Sequence, residues 1–142
     1  VTYLLDTNVV SEWTRPRPDP NVVAFLAGTN EDTLFLSVVT LAELRRGVAR
    51  MPDGRRRLAL DTWLETDLTQ RFDGRILGID TEVADAWGRI MAAAEQSGRT
   101  PGVMDVWIAA TATVRGLTLA TRDVRDFAPL GVRVFCPWDA PQ

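Results

Sequence analysis

Apolar positions along this chain change period repeatedly, from short continuous runs to helical spacing and back. Tyr3 to Leu5 is an apolar run ending in Asp6-Thr7-Asn8, a strand followed by turn chemistry. Asp19-Pro20 has the form of an N-cap and first helical residue. Val22, Val23, Phe25 and Leu26 follow at helical spacing, and Gly28 stops them. Leu34 to Val39 reads as a second strand. Thr40-Leu41-Ala42-Glu43 then has capping-box spacing, and Leu41, Leu44 and Val48 form a helical stripe. Past the turn Pro52-Asp53-Gly54, a helix is predicted from Arg55 to about Gln70, with Leu60, Leu64 and Leu68 on one face. Ile76 to Ile79 is a brief strand. Asp80 caps a long helix whose buried face is Val83, Trp87, Ile90, Met91 and Ala94, and the segment from Ser97 to Gly102 breaks it. Val103 to Arg115 is an alanine-rich helix ended by Gly116, and Leu117 to Thr121 and Val132 to Phe135 are strands.

Strands alternating with helices predict an α/β layer fold with a mainly parallel sheet. The strands are short and apolar, as expected where helices cover both faces. With 142 residues and no repeat or linker, one domain over residues 1–142 is expected. In such sheets ligands bind beyond the carboxyl ends of the strands. Four acids fall at those places. Asp6 closes the first strand, and Glu43 lies one turn into the helix after the second. Asp105 opens the helix leading to the strand Leu117 to Thr121, and Asp123 follows that strand. Four carboxylates converging on one edge would make a divalent-metal site. Each also has a plain structural reading. Asp6 could be a turn residue, Glu43 the partner of Thr40 in a capping box, Asp105 a first-turn acid favoured by the helix dipole, and Asp123 an Asx-turn or cap.

Composition narrows the chemistry. There is no histidine, and all 16 basic residues are arginine. That excludes Ser-His-Asp and Cys-His catalysis, imidazole metal ligands, Walker-type phosphate loops and Schiff-base lysines. The lone Cys136 makes neither an intrachain disulfide nor a four-sulfur zinc site. Carboxylates remain, 13 Asp and 6 Glu, and they favour hard cations such as Mg²⁺ or Mn²⁺. The net charge of −3 is not the global footprint of a nucleic-acid binder, although segregated charge still permits one. No apolar run approaches the roughly 18 residues of a membrane span, and the N-terminus carries no signal-peptide pattern. A cytoplasmic protein with no membrane partner is expected.

Four ordered segments carry a family resemblance. They are Leu4-Leu5-Asp6-Thr7-Asn8, the stretch from Leu36 to Gly47 around Thr40 and Glu43, the stretch from Val103 to Ala112 around Asp105, and the stretch from Leu119 to Phe127 around Asp123. Together they resemble the PIN-domain ribonucleases, specifically the toxin half of VapBC or FitAB toxin–antitoxin modules. The resemblance covers essentially the whole chain. It implies a three-layer α/β/α fold on a mainly parallel sheet of about five strands. It implies Asp6, Glu43, Asp105 and Asp123 as catalytic metal ligands for one or two Mg²⁺ or Mn²⁺ ions. Thr7, Asn8, Thr40 and Thr121 would orient those ligands or water, and Asp126 would anchor the loop. The implied reaction is hydrolysis of RNA by a metal-activated water that attacks in line, expels the 3′-oxygen and leaves a 5′-phosphate. The implied partners are RNA, a cognate VapB- or FitA-like antitoxin, a second copy in a homodimer, and DNA through the antitoxin. A different carboxylate-metal phosphohydrolase, or an inactive PIN binding module, is the rival reading.

Arg45, Arg46, Arg50, Arg55, Arg56 and Arg57 crowd a stretch where Asp53 is the only acid. They read as an RNA-backbone track, as a docking surface for an acidic partner segment, or as a solvated helix face. Arg122, beside Asp123, is the arginine expected nearest a scissile phosphate, or else a surface ion-pair partner. Trp87 and Trp107 sit at apolar helical spacing and are expected in the core. Trp13 is expected in a loop near the site, where it would stack a base or pack against a partner.

Overall fold

The computed structural model describes residues 1–139; Ala140 to Gln142, the end of the expected domain, lie outside the described residues. Five parallel strands form one sheet in the order β3-β2-β1-β4-β5. They are β1 (Tyr3–Leu5), β2 (Leu34–Ser37), β3 (Ile76–Leu77), β4 (Thr118–Ala120) and β5 (Val134–Phe135). The central strand β1 pairs Tyr3 with Leu34 on one side and with Thr118 on the other. Strand order reverses between β1 and β4, the kind of switch point where the sheet opens a crevice at its carboxyl edge.

Alternation within the strands separates two cores. Leu4 and Leu119 face one layer with Ile108, Ala109, Ala112 and Phe127. Leu5 and Ala120 face the other with Val9, Val22, Leu64, Leu68 and Phe72. The first layer is covered by α6 (Thr81–Gln96), α7 (Val103–Arg115) and α8 (Val124–Phe127). The second is covered by α1 (Thr7–Ser11), α2 (Pro20–Gly28), α3 (Val38–Ala49), α4 (Arg55–Thr62) and α5 (Thr69–Arg71). This is the three-layer α/β/α arrangement that the family resemblance implies.

Local signals set most boundaries. Asp19 caps α2 through the Asn21 N–H, and Asp80 caps α6 through the Val83 N–H. Gly116 ends α7 in the left-handed region at φ 68°, a conformation a side chain resists. Three features depart from expectation. Asp6 caps a five-residue helix rather than a turn. Strand β2 stops at Ser37, whose hydroxyl accepts from the Val39 N–H at 3.0 Å, so α3 begins two residues before the expected cap at Thr40. Between α4 and α5 the helix widens into a π-helical stretch, Trp63–Leu68, which still buries Leu64 and Leu68. Trp87 and Trp107 are half-buried, pack against the first core layer and stack on each other with ring centroids 5.1 Å apart.

Candidate active site

Three strand ends and one helix start meet at the carboxyl edge. Asp6 follows β1, α3 follows β2, and Thr121 and Asp123 follow β4. Helix α7 runs back against the strands, so Asp105 in its first turn reaches the same edge. The four acids line one cleft of about 340 Å³ with Thr7, Asn8, Ser11, Glu12, Arg15, Arg122 and Trp138.

Threonines and one asparagine join three of the acids. The Thr7 N–H donates to Asp6 Oδ1 at 2.8 Å, and the Thr7 hydroxyl donates to Glu43 Oε1 at 2.7 Å. Thr40 Oγ1, fully buried, lies 3.5 Å from the Thr7 hydroxyl. Buried Thr121 donates to Asp6 Oδ2 at 2.7 Å and accepts the Asp123 N–H at 2.9 Å. Asn8 Nδ2 donates to Asp123 Oδ2 at 3.2 Å while its oxygen accepts the Arg122 N–H at 3.4 Å. The polar residues expected to orient the acids therefore contact them directly or through Thr7. Two plain readings fall away. Glu43 closes no capping box, because Ser37 is the cap and Thr40 lies inside α3. The Asp123 side chain makes no cap hydrogen bond.

Burial pushes the Asp6 carboxyl from 3.8 up to about 6, against its hydrogen bonds from Thr121 and Thr7 and aided by the charges of Glu43 and Asp105. Asp105 is also raised, first by burial and then by Glu43, Asp126 and Asp123. Asp126 thus contributes to the field of the site; it lines an adjoining cavity of about 570 Å³ that shares Asp105. Among the described residues no arginine forms an ion pair with Asp6, Glu43, Asp105 or Asp123. Nor do three acidic side chains stand close enough to grip one bare ion together. The donor set still fits a hard cation: it is all oxygen, charge-crowded and, among the described residues, not ion-paired. Mg²⁺ keeps several waters and is held through one or two carboxylates, so a looser ring of acids would suit a hydrated ion.

The expected arginine track is not part of this cleft. Arg45 pairs with Asp61 and Glu65 across helices, and Arg57 pairs with Asp53. Arg46 in α3 and Arg50 at its C-terminal cap do not line the cleft either. Trp13 also departs from expectation. It sits in a 3₁₀ turn, packs 6.0 Å from Phe72 and lies under the Arg71 guanidinium, outside the cleft. Arg122 does line it. Sequence reasoning missed Glu12, Arg15 and Trp138. Reading α1 as a helix would have found the first, since Glu12 lies four residues after Asn8 on one helical face. Trp138 has no local signal.

The PIN domain family model matches residues 3–131, and the chain belongs to that family. A VapC ribonuclease of Sinorhizobium fredii is 40% identical over 136 residues, 96% of this chain and 97% of the relative. Toxin FitB of Neisseria gonorrhoeae is 43% identical over 135 residues, 95% and 97% of the two chains. A crystal structure of FitAcB from the same organism superposes with a TM-score of 0.93 at 42% identity, covering 98% of this chain and 100% of that one. A member of the VapBC family of toxin–antitoxin systems from Mycobacterium tuberculosis superposes with a TM-score of 0.68 at 31% identity, covering 94% and 95%.

Proposed function

We propose that this protein is a divalent-metal-dependent endoribonuclease, the toxin of a toxin–antitoxin pair, acting in the cytoplasm and held silent by a cognate antitoxin. The observation that carries the reading is the crowding of Asp6, Glu43, Asp105 and Asp123, none of them ion-paired among the described residues, around one cleft. Support for the activity comes from relatives named as a VapC ribonuclease and a toxin. Support for the antitoxin comes from the VapBC system among the similar structures. An apolar groove walled by Trp13, Leu60 and Trp63 and edged by Arg55 and Arg56 suits an antitoxin segment with apolar and acidic residues. The exposed Val103 and Met104 suit a homodimer contact.

Asp6, Glu43, Asp105 and Asp123 would hold the Mg²⁺ or Mn²⁺. When bound, the ion supplies Lewis acidity toward the scissile phosphate and lowers the pKa of water. The chain supplies orientation. Thr7 and Thr121 each hold one oxygen of Asp6, Thr7 also holds Glu43, and Asn8 holds Asp123. With no histidine present, proton acceptance falls to a carboxylate.

The test compares RNA, DNA and a phosphomonoester as substrates. RNA alone should be cut, only with Mg²⁺ or Mn²⁺, with activity lost in EDTA and 5′-phosphate ends on the products. Ends carrying 2′,3′-cyclic phosphate would overturn the reading, because they require the ribose 2′-oxygen as nucleophile.

A further inference from the structure

A cleft holding four acids repels the backbone of the RNA it is meant to cut. The arginine run does not supply the compensating cations inside this cleft, because none of its arginines lines it. Two other arginines line the cleft itself, and each is fixed in an unusual way. Glu12 is buried, with 4% exposure, and its Oε2 accepts the Asp19 N–H at 2.8 Å. Its Oε1 holds Arg15 through Nε at 3.2 Å. Glu12 engages Arg15 through Nε, which leaves the outer fork, the two terminal nitrogens, with no hydrogen-bond partner among the described residues. Such a fork matches two phosphate oxygens at once. The guanidinium of Arg122 lies 5.3 Å from the centre of the Trp138 ring. A ring face uses none of the in-plane N–H donors, and among the described residues no acceptor takes them. Trp138 is itself anchored, since its carbonyl accepts from Asn21 Nδ2 at 2.8 Å. The cleft lies near the low end of the roughly 300–1,000 Å³ range of ligand pockets, so flanking nucleotides must be held at its rim.

We propose that Arg15 and Arg122 form a two-pronged clamp for the phosphates flanking the cleaved bond, with Glu12 and Trp138 as the positioning residues that aim them. This rests on the nuclease reading above and adds to it the substrate-holding residues. Glu12 lowers the freedom of Arg15 while leaving its two terminal nitrogens open to donate. Trp138 does the same for Arg122 by stacking, which leaves its full charge for the RNA. The clamp stands beside the acids, so it offsets their repulsion where the backbone enters.

The experiment measures binding of a short labelled single-stranded RNA over a salt series, in an Asp105→Asn background so that the probe stays intact. Arg15→Ala and Arg122→Ala should each weaken binding and lower the slope of log affinity against log salt by about 0.7, and the double variant by about 1.4. Arg89→Ala, on the outer face of α6 and paired only with Asp85, should leave the slope alone. In otherwise native protein, Trp138→Leu should raise KM for RNA with kcat retained, and Trp138→Phe, which keeps a ring face, should restore it. A merely structural Trp138 would lower kcat with the folded fraction and show no such rescue. If native protein cuts RNA but the double variant keeps the native slope, the clamp is wrong and the nuclease reading survives. If native protein neither binds nor cuts RNA, both fall.

Discussion

Asp6 is a carboxyl buried beside two other acids, with both oxygens already engaged by Thr7 and Thr121. Its folded value of about 6 stands above the unfolded 3.8. Between those values the folded chain binds more protons than the unfolded one, so the Asp6 contribution to stability falls as pH rises from 3.8 through about 6. The elevation corresponds to roughly 3 kcal/mol at most once Asp6 is fully ionised. Asp6→Asn removes that cost but offers one acceptor fewer, which costs about 1 kcal/mol. In EDTA, Asp6→Asn should therefore melt above the native protein near neutral pH, and below it at pH values under 3.8. Thermal melts across pH check this. An offset of one sign at every pH would mean that Asp6 is not held above its ordinary value.

At the scale of elements, the start of α3 determines how Glu43 faces the cleft. Ser37 is fully buried and its hydroxyl satisfies the Val39 N–H. Ser37→Ala should cost about 1 kcal/mol, lowering Tm by about 3–5 °C for a chain of this size. An unchanged Tm in calorimetry would show that the cap contributes nothing. Thr40 was the cap expected by sequence and Ser37 is the cap observed, and the reason shows what was legible. Asp19, Asp80 and Gly116 act through their nearest neighbours, so α2, α6 and the end of α7 could be read from local signals. The end of β2 depends on its pairing with β3, Leu36 with Ile76 and Ser37 with Leu77, which no local pattern encodes. Helix α1 has five residues, too few for a period to appear. The acids of the site were legible because each sits beside a strand end or helix start. Arg15 and Trp138 were not, because a 3₁₀ turn and the last described segment reach the cleft only through tertiary packing. Arginine density did not mark the cleft for the converse reason: Arg45 is taken up by Asp61 and Glu65 on another helix, and the rest of the run lies away from the acids.

At the scale of the molecule, net charge is only −3, but the acids of the cleft concentrate negative charge at one edge of the sheet. The metal-free fold therefore carries local repulsion that a cation would relieve. Asp105 isolates this effect best. Its carboxyl is raised by burial and by three neighbouring acids, and no hydrogen bond to it is seen among the described residues. Replacing it by asparagine removes a charge and breaks no bond. Two opposing terms decide the sign. Losing a first-turn charge costs about 0.3–1 kcal/mol, whereas relief from Glu43, Asp123 and Asp126 acts the other way and from three directions. Asp105→Asn should thus raise Tm in EDTA. Native protein should gain stability with Mg²⁺, by about 2.7 kcal/mol at a hundredfold excess over the dissociation constant. The variant should lose most of that gain and cut no RNA. Scanning calorimetry with and without Mg²⁺, beside an RNA cleavage assay, reads all three. A variant that melts lower in EDTA and still cuts RNA would make Asp105 an ordinary helix-start acid. It would also leave the cleft without the residue through which its like charges are most strongly coupled.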